Sequence, residues 1–474
     1  MIHTIITWVL PFICVLGAAV VLHEFGHFLV AKLLKIRVET FSVGFGPRLI
    51  GRKWGTTDYR ISAIPLGGYV KLGGDESNAP IEGEGAEDIP AAERFDLRPR
   101  WQRVLVALAG PVMNILTALS IPFAAALIYG VPTMPAPVVS LVRSGGSAEQ
   151  AGLKPGDRII SFEGTQNPTW NYISGKALLR PGQEVRMEVD RDGQRVPIAL
   201  RIPKRVDGGN EIGELDFQPD SGALPVIIDS VSPNMPAQEA GLRSGDQILA
   251  VDGQVAHSRT QVTQYIQDHR DKELRLTIVR GDSRLEIKAK PKPDETGVPR
   301  LGVRFAPEPL ERAGLVRAAG FAVSQNIEIM QLTADALGQV FKGQRSVRDT
   351  LSGPIGIARE SSRAVTELGW AGLVTMLGFL SLNLGVFNLL PIPVLDGGAI
   401  FLLLIEGALA LIGLSLSRVV RERIQQVGFV VVILLMVFVL TNDILKQVSI
   451  SRSGGSNPPV TVPVTAPTPT PAPK

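Results

Sequence analysis

The stretch Val20-Val-Leu-His23-Glu24-Phe-Gly-His27-Phe-Leu-Val30 places three ionisable side chains inside an otherwise apolar run. The run extends from about residue 5 to residue 34, and about 20 apolar residues in a helix span a bilayer. No Lys or Arg precedes Lys32, so the basic start of a secretory signal peptide is missing. We therefore interpret residues 1–34 as a retained membrane helix.

The spacing of His23, Glu24 and His27 indicates a metal site. Residues four apart lie above one another on one helix face, so the two imidazoles can share one zinc ion while Glu24 takes a proton from a water molecule at the metal. The motif alone also occurs in proteins without a metal. Ionisable groups inside a membrane segment are expensive and usually functional. Zinc ligation is therefore favoured over a polar patch that merely ends the helix.

A third protein ligand is needed, since a catalytic zinc keeps its fourth position open. The other histidines, His3, His257 and His269, are poor candidates because of their positions in the chain. A carboxylate is the better choice, and His/His/carboxylate ligation favours zinc.

Asp396 is the preferred carboxylate. It follows Asn388-Leu-Leu-Pro-Ile-Pro-Val-Leu and precedes Gly397-Gly, and these prolines and glycines interrupt a helix inside an apolar segment. Irregular backbone at membrane depth is tolerated where protein or water covers it. Asp396 and His23 lie at similar depth if both spans are entered from the same side. Glu406 is the less favoured candidate for the third ligand. The alternative without a metal is that Asp396 only forms an ordinary Asp-Gly turn.

Further apolar segments complete a polytopic α-helical membrane protein with about four transmembrane helices. They cover residues 104–130, 370–414 with a break in the middle, and 427–445; a fifth span results if the part after the break crosses separately. Twelve basic residues lie from Lys32 to Arg103, and Arg418, Arg421 and Arg423 precede the last span. Basic residues near spans favour the cytoplasm, so the N-terminus, the long middle part and the C-terminus are expected on the opposite side.

The middle part contains an internal repeat. Ala148-Glu-Gln-Ala-Gly-Leu-Lys-Pro-Gly-Asp-Arg-Ile-Ile reappears from Ala237 as Ala-Gln-Glu-Ala-Gly-Leu-Arg-Ser-Gly-Asp-Gln-Ile-Leu, and so long a period is typical of tandem globular domains. Strand pairs are expected around Arg191-Asp-Gly and Arg280-Gly-Asp. The string resembles the PDZ domain, which predicts two inserted α+β domains at residues 135–205 and 222–293. Such domains bind extended peptides by strand addition; alternatively, the copies only pack as a rigid cap.

The remaining segments have weaker signals. Residues 35–103 are interpreted as a cytoplasmic segment with a β-hairpin at residues 59–72. Residues 308–350 are expected to be amphipathic and helical, and the Pro/Thr-rich residues 451–474 to be disordered. Gly110-Pro-Val-Met-Asn114 begins the second span, and its amide is as suited to bridging helices as to touching substrate.

Composition excludes several classes of protein. The net charge of +3 is too small to indicate nucleic-acid binding. Cys14 is the single cysteine of the chain, which excludes an internal disulfide framework and a cysteine-rich zinc site.

Taken together, His23 to Phe28, Leu395-Asp-Gly397 and Asn388 with its prolines resemble the site-2 protease family of intramembrane metalloproteases. Two PDZ-like domains between the second and third spans narrow the resemblance to bacterial members. The resemblance implies one Zn²⁺ bound by His23, His27 and Asp396, with Glu24 as catalytic acid/base and Asn388 holding the substrate backbone or oxyanion. Ala399 departs from some relatives, in which a histidine is expected, but that position is not a ligand.

The resemblance makes the hairpin at residues 59–72 a membrane-dipping loop whose edge pairs with an unwound substrate strand; an ordinary cytoplasmic hairpin is the alternative.

The resemblance also implies a place and a role. The chain is expected in the bacterial inner membrane, in contact with lipid, with the PDZ domains in the periplasm. Its substrates would be pre-cleaved single-pass membrane proteins, including an anti-sigma factor and signal-peptide remnants, and cleavage would activate an extracytoplasmic stress response. Two other classes stay open: a PDZ membrane scaffold without catalysis, and a transporter using a proton relay, although transporter-type repeats of the spans are not evident.

Overall fold

A computed structural model describes residues 8–75, 89–132, 137–143, 145–207, 210–219, 226–256, 258–269, 272–293, 299–306, 310–344, 346–347, 353–414 and 417–452. Its helices of eight residues or more are α1 (Leu10–Leu33), α2 (Arg100–Tyr129), α4 (Trp170–Leu178), α6 (Arg259–Asp268), α7 (Leu315–Phe341), α8 (Pro354–Leu368), α9 (Trp370–Asn388), α10 (Asp396–Leu411) and α11 (Arg418–Arg452). Two four-residue helices are α3 (Ser147–Gln150) and α5 (Pro236–Glu239), and Ala91–Glu93 form a 3₁₀ turn.

Four helices in the described part of the chain are long and apolar enough to cross a membrane: Leu10–Leu33, Arg100–Tyr129, Trp370–Asn388 and Val419–Leu445. The first two approach closely at Gly26, where an added Cβ would lie 2.2 Å from the Ala109 carbonyl oxygen. Only glycine fits there, because any side chain would push the helices apart. This close approach sets α2 against the two histidines of α1.

A folded-back hairpin follows α1. It consists of β1 (Val38–Trp54) and β2 (Thr57–Leu72), which pair antiparallel. Phe41 in the first half of β1 pairs with both Tyr59 and Val70, at opposite ends of β2. The two strands therefore form a small sheet four segments wide. The prediction of a hairpin confined to residues 59–72 was wrong, since that stretch is a bent strand whose partner is β1.

The sheet lies against α1 at the level of the histidine motif. An added Cβ at Gly17 would lie 3.2 Å from the Pro65 carbonyl oxygen, and one at Gly68 would lie 3.8 Å from the Val21 side chain. The segment of β2 after Pro65 thus follows the half of α1 that leads to His23.

The middle part contains two copies of one α+β arrangement. The first comprises β4 (Val139–Val142), β5 (Arg158–Phe162), β6 (Thr165–Gln166), β7 (Glu184–Arg191), β8 (Gln194–Arg201), β9 (Lys204–Asp207), β10 (Asn210–Gly213) and β11 (Phe217–Pro219). The second comprises β12 (Val226–Val231), β13 (Gln247–Val251), β14 (Gln254–Val255), β15 (Leu274–Arg280), β16 (Ser283–Ala289), β17 (Lys292–Pro293), β18 (Pro299–Arg300) and β19 (Val303–Phe305). Short strands β3 (Val131–Pro132) and β20 (Leu310–Glu311) pair at the junction with the helices.

The strand pairs predicted around the Arg191 and Arg280 turns are confirmed as β7–β8 and β15–β16. The two predicted domains are too short, because each copy extends beyond its predicted end at residue 205 or 293. A later strand returns to the first strand of each copy, β11 to β4 and β19 to β12, and Phe217 and Leu301 belong to the two hydrophobic cores. The internal repeat did not reveal these strands, because they lie outside the stretch of sequence that recurs.

The Gly-Asp turn of each copy holds a buried carboxylate. Asp157 is 1% exposed and accepts from Nε and Nη2 of Arg191 at 2.7 Å and from the Lys154 backbone amide at 2.8 Å. Asp246 has the same contacts with Arg280 and Arg243. Burial alone would raise the pKa of Asp157, but the hydrogen bonds from Arg191 and Lys154 outweigh it and lower that pKa.

Asp157→Asn is expected to destabilise the first repeat by about 2–4 kcal/mol at pH 7, because Arg191 loses a charged partner in a buried setting. The folded-state pKa of Asp157 lies below the unfolded-state value of about 3.9. The stabilisation is therefore complete above that value and disappears as the pH falls through the folded-state pKa. Hydrogen–deuterium exchange of β5, β7 and β8 in the full chain, corrected for intrinsic rates, measures it at each pH. Exposed Glu184→Gln is the control, and a pH-independent difference between variant and wild type would contradict the assignment.

The helices after the repeats connect them to the membrane part. On α7, Asn326 donates to the Ala118 carbonyl of α2 at 3.2 Å, and Asp335 pairs with Lys176 of α4 at 3.0 Å. The helix occupies the centre of the segment predicted at residues 308–350. Helix α8 was not predicted as a separate helix. Its N-terminus is held by Asp443 of α11, which accepts from the Ile355 amide at 3.0 Å.

The first two residues of the tail predicted to be disordered, Ser451 and Arg452, are instead the last two of α11, and residues 453–474 lie outside the described residues.

Candidate metal centre

His23 and His27 lie one turn apart on α1, with their Nε2 atoms 3.2 Å apart. Their side chains are 7% and 13% exposed. The Nδ1–H of His27 donates to the Val106 carbonyl oxygen of α2 at 2.7 Å, which leaves the lone pair of that ring on Nε2. The histidines therefore present metal-binding nitrogens to one point.

Asp396 reaches the same point from the start of α10. Its Oδ2 lies 2.9 Å from His23 Nε2 and 3.5 Å from His27 Nε2. The chain between α9 and α10 is irregular, and Val394 has a positive φ of 84°. Added Cβ atoms at Gly397 and Gly398 would lie 2.3 Å and 2.1 Å from carbonyl oxygens of this connection. The two glycines therefore let the irregular segment fold back tightly enough to present Asp396.

These three residues form the group of His, Cys, Asp and Glu side chains that could hold a metal ion within the described part of the chain. Their donor atoms are 2.9, 3.2 and 3.5 Å apart. Tetrahedral zinc with bonds of about 2.0–2.1 Å separates its ligands by about 3.3 Å. Two imidazole lone pairs and a carboxylate facing each other would repel without a cation. The residues present therefore fit a zinc ion.

Glu24 lies beside the histidines on the same helix. Its carboxylate accepts a hydrogen bond from the Val70 backbone amide of β2 and interacts electrostatically with His23, His27 and Asp396. The edge segment of the folded-back hairpin thus holds the carboxylate next to the candidate metal site.

Asn388 is the last residue of α9, and its Nδ2 lies 3.3 Å from His23 Nε2. The amide therefore reaches the metal-facing side of the ring. All five residues singled out from the sequence, His23, Glu24, His27, Asn388 and Asp396, come together around one point. More than 360 residues of chain separate the first three from the last two.

Glu406 lies elsewhere. It is 8% exposed and pairs with Arg421 of α11, so its charge is balanced without a metal ion. His269 stacks on Tyr265 in the second repeat with ring centroids 4.1 Å apart. His3 and His257 are outside the described residues.

The contact of α2 with the two histidines was not predicted from the sequence. Val106, Gly110 and Asn114 are four residues apart on one face of this helix and lie against the histidines. An added Cβ at Gly110 would be 2.3 Å from His27 Nε2 and 2.7 Å from His23 Nε2. The spacing of Gly110 and Asn114 in an apolar span was a usable signal, but nothing in it connects these residues to His23.

Gly110→Ala is expected to displace one or both imidazoles and to lower zinc affinity by about 10–100-fold. This is the loss typical of mutating residues that orient metal ligands. Metal content of the purified variant under chelator competition measures the effect. Gly407→Ala on α10 is a matched control, because an added Cβ there meets nothing within 4 Å. Wild-type affinity in Gly110→Ala would show that α2 does not confine the histidines.

Comparison with known proteins gives matches along nearly the whole chain. Peptidase family M50 matches residues 11–435. The chain is 32% identical over 454 residues to the regulator of sigma-E protease RseP of Escherichia coli strain K12, covering 91% of this chain and 97% of that protein. It is 31% identical over 461 residues to the protease RseP of Yersinia pestis, covering 92% of this chain and 98% of that protein.

A solved PDZ domain of an SdrC-like protein from Listeria monocytogenes is 25% identical and covers 17% of this chain and 86% of that one, with a TM-score of 0.16. The family match, by contrast, includes every residue of the candidate metal centre and both repeats.

Proposed function

Because this chain belongs to peptidase family M50, the site-2 protease family, we propose that His23, His27 and Asp396 form its active centre and that it hydrolyses peptide bonds within transmembrane segments. The chain is a zinc metalloprotease of the membrane. The observation that carries the assignment of the centre is the convergence of three donor atoms 2.9–3.5 Å apart. Two of them belong to α1, which can span a membrane, and the third to the start of α10, which follows the candidate span α9.

One zinc ion is proposed for this centre. Zinc held by three protein ligands acts as a Lewis acid and generates a nucleophile from water near neutral pH. The chain's part is to fix the ligands, and the Val106 carbonyl does so for His27 by accepting its Nδ1–H.

Glu24 is proposed as the general base and acid. It accepts a proton from the attacking water and passes it to the leaving nitrogen of the scissile peptide bond. The Val70 amide orients its carboxylate, so the proton acceptor is in place before substrate enters.

Asn388 is proposed to donate to the scissile carbonyl oxygen as negative charge develops on it. Its amide Nδ2, 3.3 Å from His23 Nε2, lies close enough to the centre for this role. The helix ends at Asn388 and the backbone after it is irregular, which supports this role.

The hairpin is proposed to hold the substrate backbone. A helical peptide bond is shielded, so a substrate segment has to unwind before it is cut. Segment 65–70 of β2 follows α1 up to the level of Glu24, and an edge strand pairs readily with an extended peptide. This position favours the membrane-dipping interpretation of the hairpin over an ordinary cytoplasmic one.

The substrates proposed are single-pass membrane proteins already shortened by another protease, such as an anti-sigma factor or remnant signal peptides. The distribution of basic residues around the spans supports a periplasmic position for the two repeats, where they would exclude substrates with bulky outer domains. The Lys176–Asp335 ion pair ties the first repeat to the membrane-attached helix α7, which suits a fixed filter. The proposed location is a bacterial inner membrane, and the proposed outcome is activation of an extracytoplasmic stress response.

Neither alternative from the sequence accounts for the centre as well. A scaffold needs no open zinc position with a carboxylate beside it. A proton relay would not require His23, His27 and Asp396 to converge at zinc-ligand distances.

Zinc content and cleavage of a single-pass substrate by the full chain in lipid vesicles test the proposal. We expect one zinc per chain, loss of cleavage after chelation, and recovery when zinc is returned. A chain that cleaves equally well after complete removal of zinc would overturn it.

The filter is tested separately with one substrate carrying or lacking a folded outer domain. We expect cleavage of the shortened form only, and cleavage of both forms when residues 137–306 are deleted. If the intact chain cleaves both forms at one rate, the repeats are not a filter, although the zinc centre stands.

A further inference from the structure

The face of α2 that lies against the histidines provides a partner for each imidazole Nδ1. His27 Nδ1 contacts the Val106 carbonyl oxygen at 2.7 Å, and His23 Nδ1 lies 3.3 Å from the Asn114 side-chain amide. Gly110, midway between them, leaves room for both rings. The positions 106, 110 and 114 recur every four residues, so one stripe of α2 backs both histidines.

The hydrogen bonding of the Asn114 side chain is incomplete. The residue is 0% exposed, and its Oδ1 is a buried atom without a hydrogen-bond partner among the described residues. A buried acceptor left without a donor is costly, and it is more so in a helix that spans a membrane. A half-turn about the Cβ–Cγ bond exchanges Oδ1 and Nδ2 while the shape of the amide stays the same. Such a turn would place the unpartnered oxygen against His23 Nδ1.

Zinc ligation requires this arrangement. A histidine that binds a metal through Nε2 carries its proton on Nδ1 and donates it to a neighbouring acceptor. His27 has the Val106 carbonyl for that purpose. At His23, the side-chain amide of Asn114 is the hydrogen-bonding group found next to Nδ1 within the described residues. Asn388 lies on the opposite, metal-facing nitrogen, so the two asparagines have different tasks.

We propose that Asn114 is a positioning residue whose Oδ1 accepts the Nδ1–H of His23, fixing the tautomer and ring orientation in which Nε2 binds zinc. This inference rests on the proposed zinc centre. It assigns to Asn114 no contact with substrate, and its effect is on metal affinity first and on turnover only through the metal.

Two substitutions separate this role from packing. Asn114→Leu keeps nearly the same shape but removes the acceptor, and it is expected to weaken zinc binding about 10–100-fold. Asn114→Asp keeps an acceptor oxygen and is expected to bind zinc at least as tightly as wild type, because a carboxylate is a common partner of zinc-bound histidine. Zinc affinity of the full chain by chelator competition is the readout, with Asn383→Leu on α9 as control, since its amide bonds within its own helix.

The outcomes are distinguishable. Weak binding by Asn114→Leu with normal binding by Asn114→Asp supports the proposal. Wild-type affinity in Asn114→Leu, or a loss of ten-fold or more in folded Asn114→Asp, overturns it. His23→Ala serves as a reference: if it loses zinc while Asn114→Leu does not, only the role of Asn114 is wrong, and if it retains zinc, the proposed centre is wrong.

Discussion

Glu24→Gln is expected to lower kcat for transmembrane cleavage by about 10²–10⁴-fold, the contribution of a positioned general acid–base, while zinc stays bound. Glutamine keeps the size of the side chain and can still meet the Val70 amide through its oxygen, but it cannot take up a proton. Since His23, His27 and Asp396 are unchanged, the metal content should remain that of wild type. Single-turnover cleavage and zinc analysis of the same sample measure both quantities.

Glu360→Gln on α8 is the control for this variant, because it makes the same chemical change at an exposed position. Equal cleavage by Glu24→Gln and wild type would contradict the assignment of Glu24. Loss of zinc together with cleavage would mean that Glu24 supports the metal rather than the proton transfer.

Asp396→Ala is expected to lose both zinc and cleavage. The substitution removes one of three ligands. Its loss of zinc affinity should therefore exceed the loss of about 10–100-fold that is typical when a residue that only orients a ligand is mutated. The remaining histidines, whose Nε2 atoms lie 3.2 Å apart, would offer a metal ion only two neutral protein ligands. Chelator competition and cleavage assays measure the two losses.

Glu406→Gln on the same helix α10 is the matched comparison, because Glu406 was the alternative third ligand from the sequence. Its partner is Arg421, so we expect wild-type zinc content even if the helix contacts weaken. A reversal, with zinc kept in Asp396→Ala and lost in Glu406→Gln, would assign the third ligand to Glu406.

The local parts of the centre were predictable from the sequence. The spacing of His23 and His27 determines that they share a helix face, and the prolines and glycines around Asp396 determine that the helix is interrupted there. Membrane depth then linked two segments far apart in the chain. Each of these inferences needs only helix geometry and the cost of polar groups in lipid.

The supporting contacts were not predictable in the same way. Which face of α2 meets α1 depends on the close approach at Gly26, and apolar periodicity gives no information on this in a helix that is apolar on all sides. The pairing of Phe41 with two separate positions of β2 and the return of β11 and β19 to their repeats are likewise contacts between distant segments, which turn signals alone do not reveal.

The position of the cut tests the central claim most directly. The full chain in lipid vesicles would be supplied with a shortened single-pass protein, and the products would be mapped by mass spectrometry with zinc present, removed and returned. We predict new termini within the apolar transmembrane segment that disappear without zinc and return with it. Cuts confined to the soluble flanks, or cuts inside the segment that persist without zinc, would contradict an intramembrane zinc centre at His23, His27 and Asp396.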